Sequence, residues 1–170
     1  MQLTRGPANF NDNMVQGPPA PPKILNKKVR YKFEILDTLE AGIALTGSEV
    51  KSLRAGQASI EEAYAHIREG ELYLLDCNIA PYPMAGYAQH KPTRERKLLV
   101  HRRQIRRWAA KVVLKGWTIV PLALRFNERG LVKVDLALAR GKTHGDRRED
   151  IRRRDEQRDI ARDLRRRRRS

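Results

Sequence analysis

A single cysteine, Cys77, stands among 170 residues. One thiol excludes an internal disulfide and any metal finger built on cysteine pairs. Histidine is nearly as scarce. His66, His90, His101 and His144 have neither metal-ligand nor acid/base spacing, and no acidic pair lies beside a recognisable base. The expectation is a protein that is not an enzyme and uses no metal and no cofactor. Long apolar runs are missing as well. No window approaches the roughly 18–20 consecutive apolar residues of a membrane span, and the N-terminus carries no apolar signal core. A cytoplasmic location with no membrane partner is expected.

Acid is sparse where base is abundant: 36 Lys+Arg face 20 Asp+Glu, a formal net charge of +16. The excess is concentrated. Residues 91–116 hold ten basic side chains and one acid, residues 140–170 fourteen and seven, and the remainder twelve of each. Two cationic blocks beside a neutral body suit a polyanion. Neither block has the bulky apolar face of an interfacial helix, so nucleic acid is preferred over a membrane surface.

Hydrophobic residues at 40% are too many for a wholly disordered chain, and 33% charged residues leave room for one compact core. Residues 1–25, with Gly17-Pro18-Pro19-Ala20-Pro21-Pro22, read as a flexible lead-in. From Val29 to Ile35 apolar and charged residues alternate, the period of a half-buried strand, up to a break at Ala41-Gly42. Ser48 is placed to cap a short helix with Val50 and Leu53 on one face and Gly56 as its stop. Residues 58–79 read as a hairpin turning at residues 68–71, and residues 82–95 as a long loop. Leu98 to Val100 is a short buried run, followed by a helix from Arg102 to Lys115. Its Ile105, Trp108, Ala109 and Val112 share one face, and Arg103, Arg106, Arg107 and Lys111 the other. Strands at 117–126 and 131–138 follow, with Pro121 marking an edge or bulge.

The fold class expected for residues 26–139 is a mainly β antiparallel barrel of about six strands with flanking short helices, a domain whose cations suit contact with RNA or DNA. Residues 140–170 form a basic C-terminal tail with no apolar period, expected to be disordered alone and to serve either as a nonspecific electrostatic tether or as a segment that turns helical on an RNA surface. The best chemical signal is the run from Lys91 to Lys97 joined to the basic helix face, because fixed, spaced cations on a rigid support neutralise phosphates.

The wording of several blocks is familiar. Residues 40–56, Glu40-Ala41-Gly42-Ile43-Ala44-Leu45-Thr46-Gly47-Ser48-Glu49-Val50-Lys51-Ser52-Leu53-Arg54-Ala55-Gly56, resemble the SsrA-binding protein family, also called small protein B. So do Ile79-Ala80-Pro81-Tyr82, the stretch from His90 to His101, Val120-Pro121-Leu122 and Ala139-Arg140-Gly141-Lys142. The resemblance implies an oligonucleotide-binding-type barrel that holds the tRNA-like part of transfer-messenger RNA. It implies delivery to stalled ribosomes for trans-translation, with a tail that enters the vacant mRNA channel along small-subunit RNA, and a monomer in the RNA complex.

Carried over by position, Glu40, Leu99 and His101 fall on the family's RNA-binding surface, with Lys51, Arg54, Arg94, Arg96 and Lys97 around them. Glu40 suits acceptance from a base amine, orientation of a neighbouring cation, or a structural ion pair; Leu99 suits surface or core. In the tail, Lys142, His144, Asp146, Arg147 and Arg148 are the ribosome-contacting candidates. Here the chain departs from the family pattern: a second lysine is missing, Gly145 stands where a ring is expected, and His144 is the substitute one residue earlier. The alternative function is a general RNA-binding ribosomal or RNA-chaperone protein, which would share both basic blocks.

Overall fold

The computed structural model describes residues 21–167, and within them the side chains of all but Ala88, His144, Arg147, Asp150, Arg154 and residues 163–167. Among the described residues nine strands and four helices follow in order. They are β1 (Ile24–Leu25), α1 (Val29–Lys32), β2 (Phe33–Ile43), α2 (Gly47–Arg54), β3 (Ala58–Ser59), β4 (Tyr64–Arg68), β5 (Glu71–Leu75), β6 (Asn78–Ile79), β7 (Arg96–Leu99), α3 (Arg102–Lys115), β8 (Thr118–Phe126), β9 (Val132–Gly141) and α4 (His144–Arg167), with a 3-10 turn at Gly86–Ala88. Six strands close a ring in the order β8-β4-β5-β7-β2-β9 and back to β8, every pairing antiparallel. The mainly β barrel is therefore present. β1 adds to β8, and β3 pairs with β6 beside the ring.

The core is filled by alternate residues of the strands, among them Leu72, Leu74, Val134, Leu136 and Leu138, and is closed by Leu53 of α2 and by Ile105 and Trp108 of α3. β9 is buried on both faces. Ala137 and Ala139 turn outward to join Val29, Val120, Phe33 and Ile35 in a second, smaller cluster under α1.

Three local expectations are corrected. The strand begins at Phe33, not Val29, because residues 29–32 form one helical turn. Asn26, nearly buried, drives that turn: its Oδ1 accepts from the Val29 N–H at 3.1 Å, while its Nδ2 donates to the carbonyls of Ile60 and Pro121. β2 does not break at Ala41-Gly42 but runs to Ile43, with its register slip between Ile35 and Asp37. That slip flips the faces, so Phe33 and Ile35 join the outer cluster while Leu39, Ala41 and Ile43 line the core. Thr46 rather than Ser48 caps α2, and the buried face carries Glu49, Ser52 and Leu53 instead of Val50. The Pro121 bulge is where the sequence places it, a register shift between Pro121 and Ala123.

Residues 144–167 form continuous helix. Thr143 starts it: Asp146 Oδ2 accepts from the Thr143 N–H and Oγ1–H, and Thr143 Oγ1 accepts from the Asp146 N–H. Ion pairs Arg152–Glu156, Arg158–Asp155 and Arg162–Asp159 then support it where apolar residues cannot. No helix of the described residues is long and apolar enough to cross a membrane. Residues 1–20 of the lead-in and 168–170 of the arginine ending lie outside the described residues.

Gly42 shows how closely β2 and β7 approach. A Cβ there would lie 3.2 Å from Leu99 Cβ, tighter than ordinary contact. Gly42→Val is expected to destabilise the barrel by about 1–3 kcal/mol and to push Leu99 off the strand surface, measurable by urea unfolding.

Candidate nucleic-acid interface

β7 decides which cations of the first block reach solvent. Its residues alternate: Arg96 and Leu98 point into the barrel, Lys97 and Leu99 outward. Lys97 and Leu99 therefore line an open groove of roughly 610 Å³ together with Glu40 and Gly42 of β2, Lys133 of β9, the β4–β5 turn at Gly70-Glu71, and His101, Arg102 and Gln104 at the start of α3. Glu40, Lys97, Leu99 and His101 thus meet in one place, although up to 61 residues separate them in the chain. Leu99 is 55% exposed, which settles surface over core.

The groove's charges are held in exposed pairs. Lys97 Nζ donates to Glu71, which also accepts the Tyr73 hydroxyl at 2.7 Å; the Glu71 bond holds the Lys97 ammonium above its ordinary pKa. Glu40 accepts from Arg125 and pairs with Lys133 at 3.4 Å. Partial burial works to raise the Glu40 carboxyl, but its Lys133 and Arg125 donors outweigh this and leave it lowered. Arg125 is fixed in turn by Asp135 at 3.1 Å. Glu40 is therefore an orienting residue for two cations. At the groove's end, α3 begins at His101 with no side-chain cap and no acid in its first turn, so the positive end of the helix dipole faces the groove uncompensated.

Arg96 requires correction as a contact residue. It is fully buried, and its guanidinium donates to Glu49 at 2.9 Å and to the carbonyls of Cys77, Pro92 and Arg94. Glu49, also fully buried, accepts further bonds from Arg94 Nε at 2.8 Å, from Arg94 Nη2 and from the Thr46 N–H. Burial pushes the Glu49 carboxyl up, yet Arg94, the Thr46 amide and Arg96 together hold it below its ordinary value. Two arginines of the basic run thus clamp α2 to the loop before β7, and Arg94 is only partly exposed. His90 adds to this clamp: Nε2 faces the Ile79 carbonyl at 3.1 Å and so donates, leaving Nδ1 to accept from Ser48 Oγ at 2.9 Å.

The remaining candidates lie elsewhere. Lys51 and Arg54 are on α2 and do not line the groove; Lys51 Nζ sits 5.2 Å from the Tyr82 ring and Arg54 6.0 Å from that of Phe126. On α3, Arg107 and Lys111 are spent on Asp37, which also accepts from Trp108 Nε1 at 3.0 Å. Partial burial works to raise the Asp37 carboxyl, but Trp108, Arg107 and Lys111 hold it lowered. In the tail, Lys142 Nζ donates to the Arg30 carbonyl and its N–H to that of Lys32, tying the root of α4 to α1. Asp146 caps α4, Arg148 is exposed, and the His144 and Arg147 side chains lie outside the described residues. Among the described residues no group of three or more His, Cys, Asp or Glu could hold a metal ion. Sequence reasoning missed Arg102, Gln104 and Lys133: Arg102 was adjacent to His101, whereas Lys133 reaches the groove only through the Gly42–Lys133 register.

Known proteins share this architecture. A family model described as SmpB protein matches residues 23–166. An SsrA-binding protein of Symbiobacterium thermophilum is 51% identical over 140 residues, covering 82% of this chain and 89% of its own. Another, from Moorella thermoacetica, is 54% identical over 140 residues, covering 82% and 90%. Among solved structures, a chain described under "tmRNA-SmpB: a journey to the center of the bacterial ribosome" matches with a TM-score of 0.63 at 50% identity, covering 79% of this chain and 96% of its own. The chain belongs to the SmpB family of SsrA-binding proteins.

Proposed function

We propose that the chain binds the tRNA-like part of transfer-messenger RNA through the β2–β7–α3 groove and delivers it to stalled ribosomes for trans-translation. It acts as a cytoplasmic monomer with no catalytic step. The observation that carries this reading is the convergence of Glu40, Lys97, Leu99 and His101 in one cationic groove on a rigid barrel.

Lys97, Arg102 and Lys133 face two carboxylates there, and both are held in solvent-exposed pairs. Such pairs are worth about 0–1 kcal/mol, so RNA phosphates can displace Glu71 from Lys97 and Glu40 from Lys133 at small cost. The start of α3, which carries no acid in its first turn, offers a further phosphate seat beside His101. Leu99 presents an apolar surface to a ribose or base, and His101 is exposed to stack or hydrogen-bond. Arg94 and Arg96 hold the loop before β7 and β7 itself to α2 through Glu49, and Lys51 and Arg54 lie on α2, outside the groove.

The tail, residues 140–170, serves the ribosome. It contacts the phosphate-lined mRNA channel through Lys142, His144, Asp146, Arg147 and Arg148. A helix already capped at Thr143 loses less conformational freedom on entering the channel. Because β9 pairs as far as Gly141, truncation is placed after Thr143. The truncated protein is expected to keep transfer-messenger RNA affinity and to lose tagging on stalled ribosomes. A large loss of RNA affinity would show that the tail, not the barrel, holds the RNA.

A further inference from the structure

The loop between β6 and β7 displays side chains that the groove does not use. Tyr87 is fully exposed and Met84 86% exposed, two bulky residues turned to water within a few positions of each other. Tyr82, half-buried, supports them: its hydroxyl donates to Met84 Sδ at 4.0 Å, and Lys51 Nζ lies 5.2 Å from its ring centroid.

The loop is braced in this conformation. The Gln89 side chain pairs with the Tyr82 backbone in both directions, donating to its carbonyl at 3.0 Å and accepting from its N–H at 3.1 Å. The Ala85 N–H donates to the Tyr82 carbonyl at 3.0 Å, and His90 fixes the exit to Ser48 and Ile79. A braced loop that leaves a tyrosine ring uncovered meets the rigidity a stacking surface needs.

The surrounding charge identifies the ligand class. No Asp or Glu occurs from residue 77 to residue 94, whereas Lys51 and Lys91 stand beside or within the loop. An exposed ring with cations beside it and no acid in the surrounding stretch matches a polyanion that carries planar groups, which is single-stranded RNA. None of residues 82–89 lines the groove.

We propose that the Tyr82–Gln89 loop is a second RNA-contact surface, which stacks unpaired bases on Tyr87 beside Met84 while Lys51 meets the adjoining phosphate. The proposal rests on the RNA-binding reading above and adds a site to it. The unpaired bases belong either to transfer-messenger RNA or to ribosomal RNA, and separate binding arms distinguish these sources.

The test uses the full chain with a short oligoadenylate strand, transfer-messenger RNA and isolated small ribosomal subunits as probes, each over a range of salt. Tyr87→Ala is expected to weaken oligoadenylate binding about tenfold with an unchanged salt slope, and Tyr87→Trp to retain it. Lys51→Ala is expected to weaken it with a slope smaller by about one. The same Tyr87→Ala loss in the transfer-messenger RNA arm or in the subunit arm names the source. Unchanged binding of Tyr87→Ala to all three probes overturns the proposal. So does full oligoadenylate binding by Tyr87→Leu, which would show that no aromatic stacking takes place on this loop. The groove variant Lys97→Ala/Lys133→Ala keeps the two readings apart: its failure to weaken transfer-messenger RNA binding counts against the groove alone.

Discussion

Glu49→Gln is expected to destabilise the folded chain by about 3–5 kcal/mol, because it leaves the guanidinium of Arg96 charged, buried and without its counter-ion. For a chain of this size the melting temperature falls on the order of 10 °C. Thermal and urea unfolding measure the loss. The pair itself is a poor source of net stability, since desolvation consumes most of the Coulombic gain; its role is to fix α2, the 82–95 loop and β7 in one arrangement. The double substitution Glu49→Leu/Arg96→Met is therefore expected to recover much of the loss.

The effect has a pH signature. Glu49 and Asp37 both have lowered carboxyl pKa values in the folded state. Their stabilising contribution is fully present above the unfolded carboxylate range, near pH 4–5, and disappears as pH falls through the folded values. The gap between wild type and Glu49→Gln should accordingly shrink below that range. A gap that is small at neutral pH, under about 1 kcal/mol, would mean that the Arg96 charge is not dependent on Glu49.

Lys97→Ala/Lys133→Ala is expected to weaken transfer-messenger RNA binding roughly a hundredfold at low salt and to reduce the salt slope by about two. Both residues are exposed or half-exposed, so the unfolding midpoint should move little. Arg96→Ala should do the reverse of this pattern: a large stability loss, with RNA affinity reduced only as far as the groove is distorted. The contrast separates cations that face RNA from cations that build the surface, a distinction that charge counting over residues 91–116 does not make.

Where the sequence was readable, the structure follows local rules. The apolar face of α3, its end at Lys115, the hairpin turn before Glu71 and the Pro121 bulge all depend on neighbours within a few positions. Arg96 was partly readable as well: strand alternation puts it on the same side as Leu98, and a buried Leu98 implies a buried Arg96. What the local pattern lacks is the partner, since Glu49 lies 47 residues away. Glu40 has the same character. Its cations Arg125 and Lys133 arrive because β2 pairs with β9 of the distant β8–β9 hairpin, which no period or cap signals. The start of α4 was legible, because Thr143 and Asp146 stand in capping-box spacing; its length was not, because ion pairs rather than an apolar period sustain it. α1 replaced the expected strand because Asn26 is bonded to distant carbonyls, again a tertiary effect.

The central claim, selective binding of transfer-messenger RNA rather than of RNA in general, is tested most directly by pull-down of endogenous RNA with the full chain at fixed salt, followed by sequencing. Strong enrichment of transfer-messenger RNA over bulk tRNA and ribosomal RNA is expected, and it should vanish in Lys97→Ala/Lys133→Ala. Recovery of many RNAs in proportion to their abundance would contradict the claim and favour a general RNA-binding protein.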